Sequence, residues 1–212
     1  MKKERKPKIT TIILDVGGVQ YFYDHMKAAK AMEKEIGIPA KKIFKALAEK
    51  ASRNSFVAKA ELGSSEKEYW KQFSRELNID PVNSKKMSRL WNKIFSPNTQ
   101  MLELIKKLSK KYKIGLLSNM SQGHKKWLLS KGVAKPFKKN HIIWSCDINV
   151  RKPDKRIYTL ALKKLGSKPN ETIFVDDFPR NIKAAKKVGE YGIVYKNHKA
   201  FLKKLKKFGI EG

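Results

Sequence analysis

Ile9-Thr10-Thr11-Ile12-Ile13-Leu14-Asp15-Val16-Gly17-Gly18-Val19 is the stretch that decides how the rest of the chain is read. An apolar, largely β-branched run ends on a carboxylate, and two glycines follow. Ile and Thr suit a pleated strand. A near-continuous apolar run, without alternation, suits a strand covered on both faces of a parallel sheet. Gly-Gly beside it marks a tight turn. Asp15 thus stands at the tip of a buried strand beside pliable backbone. A carboxylate there can attack an electrophile or hold a metal, although alone it is also an ordinary turn residue.

Four further segments repeat the pattern: residues 114–117, 141–144, 172–175 and 193–195. Helical spacing lies between them, in Met101, Leu102, Leu104, Ile105 and Leu108, and in Ile157, Leu160, Ala161 and Leu165 before the C-cap candidate Gly166. The alternation predicts an α/β fold, a doubly wound parallel five-stranded Rossmann-like core. The interval between the first two strands is far longer than a crossover needs, and no run in it reads as a strand. Helices are expected there over 25–36, from Pro39 through Ala51, and from Ser65 to Leu77, where Glu68 completes a Ser-x-x-Glu capping box. A fourth is expected from Asp80-Pro81 to about Phe95. Ser96-Pro97-Asn98 reads as the return linker. The predicted organisation is a core of residues 1–20 and 97–212, interrupted by a helical-bundle cap of residues 21–96.

Composition narrows the class. At 212 residues and 41% hydrophobic, the chain can bury a sizeable core, and 10% aromatic residues argue against disorder. No apolar stretch reaches the roughly 20 residues that span a bilayer, and the basic start lacks a signal-peptide pattern. One cysteine, Cys146, allows no intrachain disulfide. These features predict a cytoplasmic protein with no membrane partner. The 49 Lys plus Arg against 19 Asp plus Glu give a formal charge of +30. Such a charge attracts nucleic acid or phosphorylated molecules. The lysines are spread along the whole chain and arginine is scarce, which favours a solvated surface over a dedicated nucleic-acid reader. Oligomeric state has no signature in the sequence.

Ligands bind outside the carboxyl ends of strands in open parallel sheets. Asp15, Ser118 and Asp176-Asp177 all sit at such ends, and Lys152 lies in the loop after the third strand. Convergence of four signals on one edge outweighs any one of them. Asp15 could attack phosphorus. Mg²⁺ held by Asp15, a backbone carbonyl of the turn and Asp177 would offset charge repulsion. Lys152 would neutralise charge on the phosphoryl oxygens, and Ser118 and Asn119 would bind another oxygen. Asp176-Asp177 could equally cap the next helix. The four histidines lack metal-ligand spacing.

These segments resemble the haloacid dehalogenase-like hydrolase superfamily. The similarity is carried by Ile13-Leu14-Asp15-Val16-Gly17-Gly18-Val19, Gly115-Leu116-Leu117-Ser118-Asn119, Arg151-Lys152-Pro153-Asp154 and Phe174-Val175-Asp176-Asp177, with Asn181 and Ala184-Ala185 in the following helix. Leu62-Gly63 and Glu68-Tyr69-Trp70 are similar to the helical-cap branch that holds epoxide-hydrolase-like and sugar-phosphate phosphatases. The resemblance implies Mg²⁺-dependent hydrolysis of a small phosphorylated metabolite through an aspartyl-phosphate. Asp15 would be the nucleophile, with the Gly17 carbonyl and Asp177 as metal ligands and Asp176 as a further ligand or a partner behind it. Tyr21, Phe22, Arg53 and Lys59 are the residues expected to face substrate from the turn and cap. One departure stands out. Family phosphatases carry a second Asp two residues after the nucleophile, and Gly17 occupies that place. General acid–base help is worth roughly 10²–10⁴-fold, so a feebly catalytic binding protein and a metal-independent 2-haloacid dehalogenase are the alternative readings.

Overall fold

The computed structural model describes residues 7–49 and 55–211. Its centre is a five-stranded parallel sheet of β1 (Thr11–Leu14), β4 (Lys113–Ser118), β5 (Ile142–Trp144), β6 (Thr172–Asp176) and β7 (Tyr191–Val194), in the order β5-β4-β1-β6-β7. β1 is central, and all four of its residues are buried. Alternation sends Ile12 and Leu14 into one apolar cluster and Ile13 into another on the opposite face. This two-sided burial is why the sequence shows an unbroken apolar run. Each fully buried Ile or Leu side chain is worth roughly 1.5–3 kcal/mol.

Helices α6 (Thr99–Leu108), α7 (Gln122–Ser130), α9 (Lys155–Leu165), α10 (Pro179–Lys187) and α11 (His198–Lys207) flank the sheet. Register decides where the chemistry falls. Leu14 is level with Leu116 on one side and Val175 on the other. One residue further on, Asp15 therefore emerges beside the ends of both neighbouring strands, near Ser118 and Asp176.

Residues 21–97 depart from expectation in several places. Two short strands, β2 (Tyr21–Tyr23) and β3 (Phe95–Pro97), pair antiparallel, so the segment read as strand-free and its return linker form a ribbon. Three residues are too few for any periodicity to show. Between them, α1 (His25–Ile36), α2 (Ala40–Phe44), α3 (Phe56–Glu61), α4 (Glu66–Leu77) and α5 (Ser84–Trp91) surround a separate cluster that includes Met32, Ile43, Trp70, Phe73 and Trp91. α1 and α4 fall where the pattern placed them. Ser65 caps α4 by accepting from the Glu68 N–H at 3.1 Å, while the Glu68 carboxylate accepts from Gln72. α2 passes into a π-helical turn, Lys45–Glu49, and the expected end at Ala51 lies outside the described residues. α5 starts later than Asp80-Pro81, because the Asn83 side chain takes the Lys86 N–H at 3.0 Å and sets the cap there. α3 was not foreseen; Ser55 caps it through the Ala58 N–H.

Candidate active site

The turn after β1 is built to present Asp15. The Val16 N–H donates to Asp15 Oδ1 at 2.7 Å, and the Gln20 amide donates to the Asp15 carbonyl at 2.9 Å. The Gly18 N–H closes the turn on the Tyr21 carbonyl. Gly18 has φ of +69°, and a Cβ there would lie 2.4 Å from Asp177 Cγ. Both the left-handed backbone and the close approach of Asp177 require glycine at that place.

Lys152 is 2% exposed and spends its ammonium inside the protein. Nζ lies 2.9 Å from Asp15 Oδ2, 2.6 Å from Asp176 Oδ2 and 3.2 Å from the Leu117 carbonyl. Burial disfavours its charge, but Asp15 and Asp176 overcome that and hold its pKa above the ordinary value. Asp15 responds in the opposite sense. Burial dominates, and despite Lys152 and the Ser118 hydroxyl its carboxyl is pushed up to about 7.

Two residues assigned from sequence also support the lysine. The Asn119 side chain donates to the Lys152 carbonyl at 3.0 Å and accepts from the Lys152 N–H at 2.8 Å. Its amide anchors the lysine with one of two N–H bonds, and Asn119 borders the site. Asp176 is fully buried; Oδ1 accepts from the Phe178 N–H and Asn181, and Oδ2 accepts from Lys152 and Asn181. Three protein donors therefore hold Asp176, the Asn181 amide shared between its two oxygens, out of about four acceptor positions on a carboxylate. It is placed to orient Lys152.

Asp177 is different. Oδ2 accepts from the Tyr23 hydroxyl at 2.8 Å, whereas Oδ1 is buried with no partner. Burial raises its pKa, opposed by the Tyr23 hydrogen bond. One oxygen from each of Asp15, Asp176 and Asp177 fits within 4.8 Å of the others. An all-oxygen donor set of three clustered carboxylates, one of them with a buried oxygen that has no partner, suits a hard divalent cation such as Mg²⁺. The residues present therefore fit the metal that the family resemblance implies.

A cavity of about 220 Å³ opens over this floor. Asp15, Gly17, Ser118, Asn119 and Lys152 border it below, and residues of β2, α1, the π-helical turn, α3, α4 and α5 border it above. The substrate-facing residues named from sequence are not among them. Tyr21 is 5% exposed and packs edge-on against Phe95 in the core. Phe22, on the other face of β2, is 48% exposed and points away. Lys59 is an exposed residue of α3, outside the lining. Arg53 lies outside the described residues. In their place the structure brings Tyr23, His25, Glu61, Trp91, His124 and Arg151 to the cavity. Tyr23 shares a face with the inward-facing Tyr21, but β2 is three residues long and shows no alternation in sequence.

Comparison with known proteins follows the same lines. The family model described as haloacid dehalogenase-like hydrolase matches residues 9–189. Bifunctional epoxide hydrolase 2 of Mus musculus is 39% identical over 66 residues, which span 31% of this chain and only 12% of the mouse protein. A HAD family enzyme from Bacteroides thetaiotaomicron, solved as the wild-type protein in complex with magnesium and inorganic phosphate, superposes with a TM-score of 0.76 at 25% identity, covering 89% of this chain and 94% of that one. The L-2-haloacid dehalogenase from Xanthobacter autotrophicus, with chloropropionic acid covalently bound, gives 0.67 at 19% identity over 93% and 82%, a likeness of fold alone. With the match running from the strand before Asp15 to beyond Asp177, the chain belongs to the haloacid dehalogenase-like hydrolases.

Proposed function

We propose that this hydrolase is a phosphatase of small phosphomonoesters that works with Mg²⁺ and uses Asp15 as its nucleophile. The observation that carries the reading is the gathering of Asp15, Asp176 and Asp177 beside a buried lysine, with one Asp177 oxygen left unpartnered. Halide displacement from a carbon centre has no use for an unpaired, buried second carboxylate. Phosphoryl transfer does, because the incoming group is itself an anion.

Mg²⁺ would be held by Asp15, Asp177 and the Gly17 carbonyl, and when bound it supplies positive charge against the phosphoryl oxygens. The chain's own groups do the rest. An Asp15 oxygen attacks phosphorus in line with the ester oxygen; the phosphorus–ester bond breaks, the leaving oxygen keeps the electron pair, and, with Gly17 offering no acid, it takes its proton from solvent water to depart as the alcohol. Lys152 neutralises charge on Asp15 and on the phosphoryl group, held in place by Asp176 and by the Asn119 clasp on its backbone. The Ser118 hydroxyl, which meets Asp15 in the unliganded site, is placed to donate to a phosphoryl oxygen. Water then attacks the aspartyl-phosphate, releasing phosphate and regenerating the carboxylate. The helices of residues 21–96 act as the cap that excludes bulk water from the cavity.

The test is hydrolysis of p-nitrophenyl phosphate with Mg²⁺ by the wild-type protein and by Asp15→Asn. The expected result is a loss of at least ~10³-fold in kcat/KM for the variant, in line with removal of a covalent nucleophile. Equal rates, or no turnover by the wild type, would defeat the reading. Metal-independent halide release from 2-haloacids would replace it with a dehalogenase.

A further inference from the structure

The cavity has two unlike ends. Its floor is charged, whereas its upper wall is formed by Leu47, Val57, Ala60, Ile94, Phe95 and Trp91. Polar groups on that side are partly engaged, although the Arg151 Nε is buried without a partner. The Tyr23 hydroxyl is spent on Asp177, and the Glu61 carboxylate is paired at 2.6 Å with Arg151. What remains is a row of flat rings. His25 lies 5.3 Å from Trp91, Trp91 stacks on His124 at 5.6 Å and 25°, and Phe95 meets His124 edge-on at 5.1 Å. Within that row the His124 Nε2 is buried and has no partner. Burial lowers the His124 pKa to about 3, so its ring is a neutral hydrogen-bonding group throughout the physiological range.

Taking the phosphatase reading as its basis, we infer that the substrate is the monophosphate of a small alcohol bearing one flat unsaturated ring, with the phosphate at Asp15 and Lys152 and the ring against Trp91 and His124. Three features support this choice over the common alternatives. A polyol phosphate would place several hydroxyls against Leu47, Ile94 and Phe95, where each unmatched hydroxyl costs about tenfold or more in affinity. The cavity volume of about 220 Å³ falls below the roughly 300–1,000 Å³ typical of sites for drug-sized ligands, which favours a substrate smaller than a nucleotide. A flat ring gains from edge-on contact with the row of Trp91, His124 and Phe95, and one polar atom on it would satisfy His124 Nε2.

The experiment is a set of initial rates with Mg²⁺ on benzyl phosphate, pyridin-3-ylmethyl phosphate, glycerol 3-phosphate, glucose 6-phosphate and adenosine monophosphate. All are esters of alcohols of similar basicity, so differences report recognition and not leaving-group chemistry. The expected kcat/KM for the two ring esters exceeds that for the polyol and nucleotide esters by ~30-fold or more. Trp91→Leu is expected to cut that ratio about tenfold, and His124→Leu to erase any preference for the pyridyl ester over benzyl. Should the variants fail to fold, the wild-type ratios decide alone. A glycerol, glucose or adenosine ester within threefold of benzyl phosphate overturns the ring assignment and leaves the phosphatase standing. The converse is separated by binding. Benzylphosphonate that quenches tryptophan fluorescence with a Kd at least tenfold below that of 2,3-dihydroxypropylphosphonate, in a protein that hydrolyses none of the panel, upholds the ring site and removes the phosphatase. Equal Kd values overturn the ring site.

Discussion

Replacing Lys152 by Met keeps the length of the side chain and deletes a cation from the protein interior. Asp15 and Asp176, 6% and 0% exposed, are then left facing each other with no positive charge between them. Removing one partner of a buried ion pair costs about 3–5 kcal/mol. Set against a total stability of roughly 5–15 kcal/mol, the variant still folds in most of that range. With a urea dependence of about 2–3 kcal/mol per molar, its midpoint drops by roughly 1–2 M. The loss depends on pH in a defined direction. In the wild type, burial already raises Asp15 from 3.8 to about 7. The folded state therefore binds more protons than the unfolded chain across that window, and stability falls as pH rises through it. Without the lysine that opposes this shift, the variant loses more and continues to lose at higher pH. The gap between the two proteins is expected to be widest at pH 8 and to shrink by about 1–3 kcal/mol at pH 5, where a proton replaces the missing cation. Urea titrations in EDTA, followed by tryptophan fluorescence, measure both. A gap under ~1 kcal/mol at pH 8, or the same gap at both pH values, would refute the electrostatic account of Lys152.

Three other perturbations probe separate parts of the structure. Asp177→Asn should abolish most of the thermal stabilisation by Mg²⁺, which at a hundredfold excess over Kd is about 2.7 kcal/mol and some 5–10 °C in the wild type; an undiminished shift would exclude Asp177 from the metal site. Gly18→Ala forces a Cβ to within 2.4 Å of Asp177 at a φ of +69°, and differential scanning should show a lower Tm together with a weakened Mg²⁺ response, whereas an unchanged response would mean Asp177 moves aside freely. Glu190 is 4% exposed with both carboxylate oxygens unpartnered, and burial pushes it up to about 8 from 4.5. Its raised pKa makes the wild type lose stability as pH climbs from 4.5 through 8. Glu190→Gln should therefore gain about 2–4 kcal/mol at pH 8 and almost nothing at pH 4.5, with equal gains at both pH values counting against it.

The parts of the molecule legible in sequence are those in which burial is two-sided or a cap is strong. β1 and β6 run through the middle of the sheet, so every residue is apolar or buried and the run announces itself. Ser65 marked α4 because its hydroxyl has a backbone donor three residues on. β2 and β3 stayed hidden because a three-residue strand makes no period, and with them the inward direction of Tyr23. Hence Tyr21 and Phe22 were chosen by proximity to the turn, when the partner of Asp177 is the next residue along. α5 was drawn from Asp80-Pro81 because that pair is a good start in isolation; Asn83 offered a competing cap that pattern could not rank. The upper wall of the cavity was illegible for a deeper reason. His25, Trp91 and His124 come from three separate elements, and only packing stacks their rings.

The same contrast explains how one lysine out of a heavily basic chain acquires a defined role. Among 49 Lys and Arg, composition makes solvation the default. Among the described residues, Lys152 is the one Lys or Arg whose side chain is essentially withdrawn from water. Withdrawal is tolerable because three acceptors, two of them charged, surround its ammonium. Those acceptors lie where they do because parallel register sets Asp15 and Asp176 side by side on adjacent strands, and because Asn119, one residue past the strand on the other side, grips the lysine's own backbone. Asp176 is held in this arrangement by three protein donors, whereas Asp177 keeps an orphan oxygen. The difference between two adjacent aspartates, one held by the protein on both oxygens and one with an oxygen to spare, is thus a consequence of where each stands relative to the strand end and not of residue type.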